Sequence, residues 1–267
     1  MSLAQSILKV AFRSLIGRKE RVLNVWGLRR SGNHACIHWL ANALAGKAIE
    51  WQELVGHHFM ASNDGQIAFI NESNLLATRP FFQGLMDNLR AVRKAKYLIV
   101  SFEDLHPSSY QNWRSIGQTN IIIRRKSLDI IASRFHNLNK RAQKGIGWER
   151  QSMDDAFFAT LEAFCKSTVE NTALPWHFEQ WKSSESYRLN FLTALGLSVD
   201  EMPPVSHIGG GSSFTGTEAT TIEADSRLRR VQPQAPWHEF LKRVLEGGQL
   251  DCDKEATAHI KSYLKQS

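Results

Sequence analysis

Cysteine is scarce in this chain: Cys36, Cys165 and Cys252 are the only 3 among 267 residues. They are far apart and odd in number, which excludes a disulfide framework and a cysteine cluster of metal-ligand spacing. A reducing compartment follows, and the expectation is a cytoplasmic protein. Long apolar runs are missing too. No stretch approaches the roughly 20 residues that a bilayer-crossing helix needs, so no integral membrane segment is expected. The first residues have no unbroken apolar block and no small-residue cleavage site, because Lys9 and Arg13 interrupt them. They read as an amphipathic helix with Leu3, Ile7, Val10, Ala11 and Leu15 on one stripe, not as a secretory signal. Basic residues interleaved with aromatics, as on an RNA-binding sheet, are also absent, and no nucleic-acid partner is expected. What the chain does have is 42% hydrophobic and 22% charged residues, enough for a core, and a net charge of +7 that suits an anionic ligand.

Short apolar runs alternate with segments of helical period. Strands are expected at 22–26, 67–70, 97–102, 120–123 and 174–178. Helices are expected at 33–44, 81–92, 127–136, 154–171, 187–195, 237–245 and 254–264, with Gly46 at a C-cap position. Continuous apolar strands between helices predict an α/β fold, a central parallel β-sheet flanked by helices. The chain reads as a single domain over 1–267, with a core of about 20–216 and C-terminal helices over 235–265. Residues 198–234 are rich in Gly, Ser, Thr and Pro and include GGGSSFTG at 209–216, which reads as a long loop.

The densest information lies in residues 22–40, VLNVWGLRRSGNHACIHWL. An apolar strand stops at Gly27, passes Arg29 and Arg30, turns at Gly32 and enters a helix. Strand, glycine turn and helix start are how a backbone cradles a phosphate: the helix N-terminus offers N–H groups and the positive end of its dipole. The spacing Gly27 to Gly32 matches G-x-x-x-x-G. The Lys and Ser/Thr that would follow in a nucleoside-triphosphatase are replaced by Asn33 and His34. The expected fold is thus of P-loop nucleotide-binding type, without the side chains that hold Mg-ATP.

The segment LRRSGNHACIHWL resembles the 5′-phosphosulfate loop of sulfotransferases that use 3′-phosphoadenosine 5′-phosphosulfate (PAPS). The resemblance puts Arg30 at the basic position and Ser31, Gly32, Asn33 and His34 in the phosphate-holding backbone. Arg29 either joins them or pairs with an acid. The later stretch IIIRRKSLDIIAS is similar to the family's R-x-P-x-D-x-x-x-S, with Arg125, Asp129 and Ser133 in register and Ser127 in place of the proline, where it could cap the helix. The resemblance implies that Arg125 and Ser133 bind the 3′-phosphate, with Arg124 as the alternative to Arg125. GGGSSFTG resembles the loop that closes over the nucleotide, which adds Gly210, Gly211 and Ser212, and Glu179 stands near the family's usual acidic position.

Family members carry a His or Glu base at the end of the strand between the two cofactor motifs. Here that strand runs into SFEDLH, and its FE pair is similar to the glutamate type of heparan-modifying sulfotransferases. Glu103 is therefore the implied base, with Asp104 and His106 as alternatives; a plain helix-capping role for the acidic pair stays open. The implied activity is sulfuryl transfer from PAPS to a hydroxyl or amine acceptor, a glycan among the candidates, with Arg30 stabilising the leaving nucleotide and no metal required. A P-loop kinase-like enzyme and a catalytically inactive nucleotide-binding relative are the alternative readings. His34 and His38 lie one helical turn apart, but no third metal ligand accompanies them. Trp39 and Trp176 read as core, and Trp26 as core or as an adenine contact.

Overall fold

Strands buried on both faces call for near-continuous apolar residues, and the central strands read that way apart from single polar positions such as Asn24 and Ser101. The computed structural model describes residues 18–53, 59–71, 92–107, 119–143, 153–166, 173–203 and 235–266. Among the described residues seven strands form one sheet: β1 (Arg21–Gly27), β2 (Trp51–Glu53), β3 (Phe59–Ser62), β4 (Ile67–Asn71), β5 (Tyr97–Glu103), β6 (Thr119–Arg124) and β7 (Ala173–His177), in the order β2-β3-β4-β5-β1-β6-β7. The pairs β4–β5, β5–β1, β1–β6 and β6–β7 are parallel. The edge β2–β3–β4 is antiparallel, so the wholly parallel sheet expected from the pattern is corrected to a mostly parallel one. The helices are α1 (Asn33–Ala45), α2 (Ser127–Gln143), α3 (Asp155–Lys166), α4 (Phe178–Ser183), α5 (Glu185–Ala194), α6 (Ala235–Glu246) and α7 (Lys254–Gln266).

Side-chain alternation along the strands splits the core in two. Val22, Trp26, Leu98, Val100, Phe102 and Ile122 face the layer made by α2, α3, α6 and α7. Leu23, Val25, Ile99, Ile121, Ile123 and Trp176 face the layer made by α1, α4 and α5. Trp26 belongs to the core: it is 2% exposed, stacks on Phe102 at 3.8 Å and donates its indole N–H to Asn120 Oδ1 at 3.1 Å. Trp39 and Trp176 are fully buried. Gly46 is the left-handed C-cap of α1. Ser127 falls inside α2 instead of capping it, with its Oγ 3.5 Å from Cys165 Sγ. Most of the expected N-terminal amphipathic helix, most of the one at 81–92 and the GGGSSFTG loop lie outside the described residues.

This topology positions a site. The helix after β1 packs on one face of the sheet and the helix after β6 on the other, although β1 and β6 are neighbours. Chain connections that leave adjacent strands in opposite directions open a crevice at their carboxyl ends, where open α/β sheets bind ligands.

Candidate anion-binding site

The register brings Gly27 beside Glu103 on β5, with β6 and its terminal Arg124 on the other side of β1. The loop from Gly27 to Gly32 is tightly determined. A Cβ on Gly27 would fall 2.3 Å from Asn33 Oδ1 and 2.9 Å from Ser31 Oγ. A Cβ on Gly32, where φ is +106°, would fall 2.5 Å from the Phe178 ring. Between them Arg30 adopts a left-handed φ of 75°, a conformation that costs a non-glycine residue about 1–2 kcal/mol. The turn is closed by Ser31 N–H donating to Leu28 O at 3.0 Å. Gly32 is the N-cap of α1, so no side chain caps the helix, and its first turn carries no acidic residue. An uncapped 13-residue helix that starts beside an arginine is suited to an anion.

Two groups brace this loop. Just after β6, Arg125 donates Nη1–H to Arg30 O at 2.8 Å, lies 4.3 Å over the Phe178 ring and stands 3.9 Å from Asp129 Oδ2. From β5, Glu103 accepts from Asn33 Nδ2 and Asn71 Nδ2, each at 3.1 Å, and its Oε2 is 3.4 Å from Arg29 Nε. Asp104 follows in a left-handed φ of 59°; its N–H donates to Gly27 O at 3.0 Å and its Oδ1 accepts the Arg29 N–H at 2.9 Å. Arg134 of α2 closes a bidentate pair on Asp104 at 2.8 and 3.0 Å, with its guanidinium 4.3 Å from the Phe157 ring.

The electrostatics are lopsided. Burial, and then the nearby Arg125 charge, lowers the Arg30 pKa, opposed by Glu103. Burial lowers Arg125 as well, opposed by Asp129 and Glu179, and burial raises the Asp129 carboxyl. Arginine nonetheless stays protonated in proteins. Crowded guanidinium groups are a cost in the free protein that a bound anion would offset. Beside the loop is a cavity of about 440 Å³ lined by Ser31, Arg124, Arg125, Ser127, Cys165 and Lys254 among others.

The structure therefore gathers Arg29, Arg30, Ser31, Gly32, Asn33, Glu103 and Arg125 around one loop. His34 occupies the first turn of α1, partly exposed. Ser133 is 6% exposed within α2, next to Arg134, and is not among the residues lining the cavity. Arg124 lines that cavity alongside Arg125. Asp104 is occupied by arginine, and His106 packs edge-on against Phe164 with ring centroids 5.0 Å apart. Glu179 accepts the Lys126 N–H at 3.2 Å. Gly210, Gly211 and Ser212 lie outside the described residues. Sequence reasoning missed Asn71 and Arg134. An asparagine ending the buried run IAFIN and an arginine beside the apolar stripe of α2 were their only signals. No protein-family model, curated protein or solved structure matches the chain.

Proposed function

We propose that the protein binds an adenosine 3′,5′-bisphosphate moiety and transfers a sulfuryl group from PAPS to a hydroxyl or amine acceptor. The observation that supports this best is convergence. The two sequence motifs lie almost 100 positions apart, yet Arg125 of the second donates directly to Arg30 O of the first at 2.8 Å. Two cationic elements thus meet at the carboxyl end of β1: the Arg30 turn before α1, and Arg124 with Arg125 between β6 and α2. A nucleotide phosphorylated at both ends of its ribose has charge for both. The loop lacks the Lys and hydroxyl pair that a Mg-ATP site uses, which favours this nucleotide over a triphosphate.

In the proposed reaction the acceptor oxygen or nitrogen forms a bond to sulfur while the bond from sulfur to the bridging 5′-phosphate oxygen breaks. The acceptor proton passes to a base, and adenosine 3′,5′-bisphosphate leaves. Such transfers depend chiefly on positioning and charge stabilisation. In this scheme the α1 N–H groups and Arg30 hold the 5′-phosphate and stabilise the charge that develops on it. Glu103, which stands beside Gly27 in the strand register and accepts from Asn33 and Asn71, is the candidate base. Those same donors occupy both of its oxygens, an observation that favours a second reading, a relative that binds the nucleotide without transfer.

Titration calorimetry with adenosine 3′,5′-bisphosphate and with Mg-ATP tests the binding step. The reading requires preference for the bisphosphate; preference for Mg-ATP rejects it. Turnover of PAPS with a panel of hydroxyl and amine acceptors then separates the transferase from the inactive relative.

A further inference from the structure

Three elements meet at Asp104, the residue after β5, and must be held in register for the loop to keep its shape: the end of β1, the Arg29–Arg30 turn, and α2. Each makes a direct hydrogen bond to this one residue. Its N–H donates to Gly27 O at the end of β1 (3.0 Å). Its Oδ1 accepts the backbone N–H of Arg29, at the entrance to the turn (2.9 Å). Both carboxylate oxygens accept from Arg134 (2.8 and 3.0 Å), which is 3% exposed. The Arg29 side chain adds a contact from Nε to Oδ2 at 3.5 Å. The residue achieves this in a left-handed conformation that aspartate tolerates poorly compared with glycine. Strain of that kind persists only where the surroundings over-determine it.

We infer that Asp104 is a positioning residue: its carboxylate pins the Arg29 N–H to α2 through Arg134 and thereby orients the Arg30 turn toward an anion. This deepens the proposed nucleotide site and rests on that reading for the identity of the anion, though not for the pinning itself. The assignment also changes the part played by Arg29. Its N–H and side chain face Asp104 and Glu103, so it braces the turn, and Arg30 carries the charge offered to the ligand. Asp104 touches no reacting atom in this scheme. Its partners are the backbone of the loop and a helix arginine.

The test uses three variants of the full chain and two readouts. D104G relieves the left-handed backbone and deletes the carboxylate. D104N keeps an Oδ1 acceptor for Arg29. R134Q loosens the clamp from the α2 side and leaves Asp104 in place. The first readout, amide hydrogen exchange at Arg29 in the free protein, needs no ligand. D104G should lower protection there by at least about tenfold, the weight of one charge-assisted hydrogen bond, while D104N should recover at least about threefold of it. If D104G fails to fold, R134Q decides, with an expected loss of about threefold at the same amide. The second readout is affinity for adenosine 3′,5′-bisphosphate, which should fall in the same order, wild type above D104N above D104G. Unchanged Arg29 protection in D104G, or in R134Q where D104G is unfolded, overturns the inference. So does a D104N variant as impaired as D104G, because the acceptor would then not be what matters. If the exchange result holds but the wild type does not bind the bisphosphate, the pinning stands and the nucleotide reading fails.

Discussion

Replacing Gly32 with alanine introduces two penalties of separate origin. The first is in the backbone, since φ at this position is +106°, outside the range an L residue adopts comfortably. A left-handed conformation costs such a residue about 1–2 kcal/mol. The second is steric. The new Cβ would lie 2.5 Å from Phe178 Cδ2 and 2.8 Å from Cε2. The ring has little room to yield: Arg125 lies 4.3 Å over its face, and Trp176 and Trp181 pack against it at centroid distances of 5.9 and 5.8 Å. Overpacking of this kind costs about 1–3 kcal/mol. The sum is about 2–5 kcal/mol, a large fraction of a typical domain's stability. Urea unfolding should show the midpoint falling at unchanged m. The F178L change removes part of the obstruction, so G32A and F178L should be non-additive, with a coupling of about 1 kcal/mol or more. A G32A loss below about 0.5 kcal/mol, the size of an ordinary surface change, would refute the packing argument.

Three further outcomes are expected. R30A should cut PAPS turnover by more than about a hundredfold, as for removal of a preorganised charge stabiliser, and near-normal turnover would remove Arg30 from the reaction. E103Q should cost about 1–3 kcal/mol in urea unfolding, because one of the two asparagine NH2 groups now facing a carboxylate oxygen would face another NH2 instead; a neutral result would mean those bonds do not form. Burial holds His38 below the histidine value of 6.5, and burial together with Arg124 does the same to His177. The folded state therefore binds fewer protons than the unfolded one. This contribution to stability is complete above the unfolded pKa and is lost as pH falls through the folded values. Urea midpoints should drop between about pH 7.5 and about pH 5, and the H38Q/H177Q double variant should flatten that drop; equal slopes would contradict the assignment.

What the sequence made legible follows from local chemistry. The β1–loop–α1 unit could be read because a buried strand, two glycines and a helical apolar period occur in order within 20 or so residues. The same holds for β5, β6 and α2. The antiparallel edge was not read: β2 and β3 have only 3 and 4 residues, too few to display alternation. The Asn63-Asp64-Gly65 turn that joins β3 to β4 was a hairpin signal in plain view. The central charges were identifiable as residues but not as partners. Arg134 meets Asp104 across 30 positions, and Asn71 meets Glu103 across 32. The β4–β5 register brings Asn71 to Glu103 and the packing of α2 brings Arg134 to Asp104, and both are properties of the whole fold. Glu103 illustrates the consequence. The family resemblance implies a base at that position, whereas the fold surrounds it with hydrogen-bond donors.

The most direct measurement is a crystal structure of the protein soaked with adenosine 3′,5′-bisphosphate. The account predicts the nucleotide in the crevice between β1 and β6, one phosphate on the Arg30–His34 backbone and the other beside Arg124 and Arg125. A crevice left vacant at saturating ligand, or a molecule seated elsewhere on the protein, would contradict it.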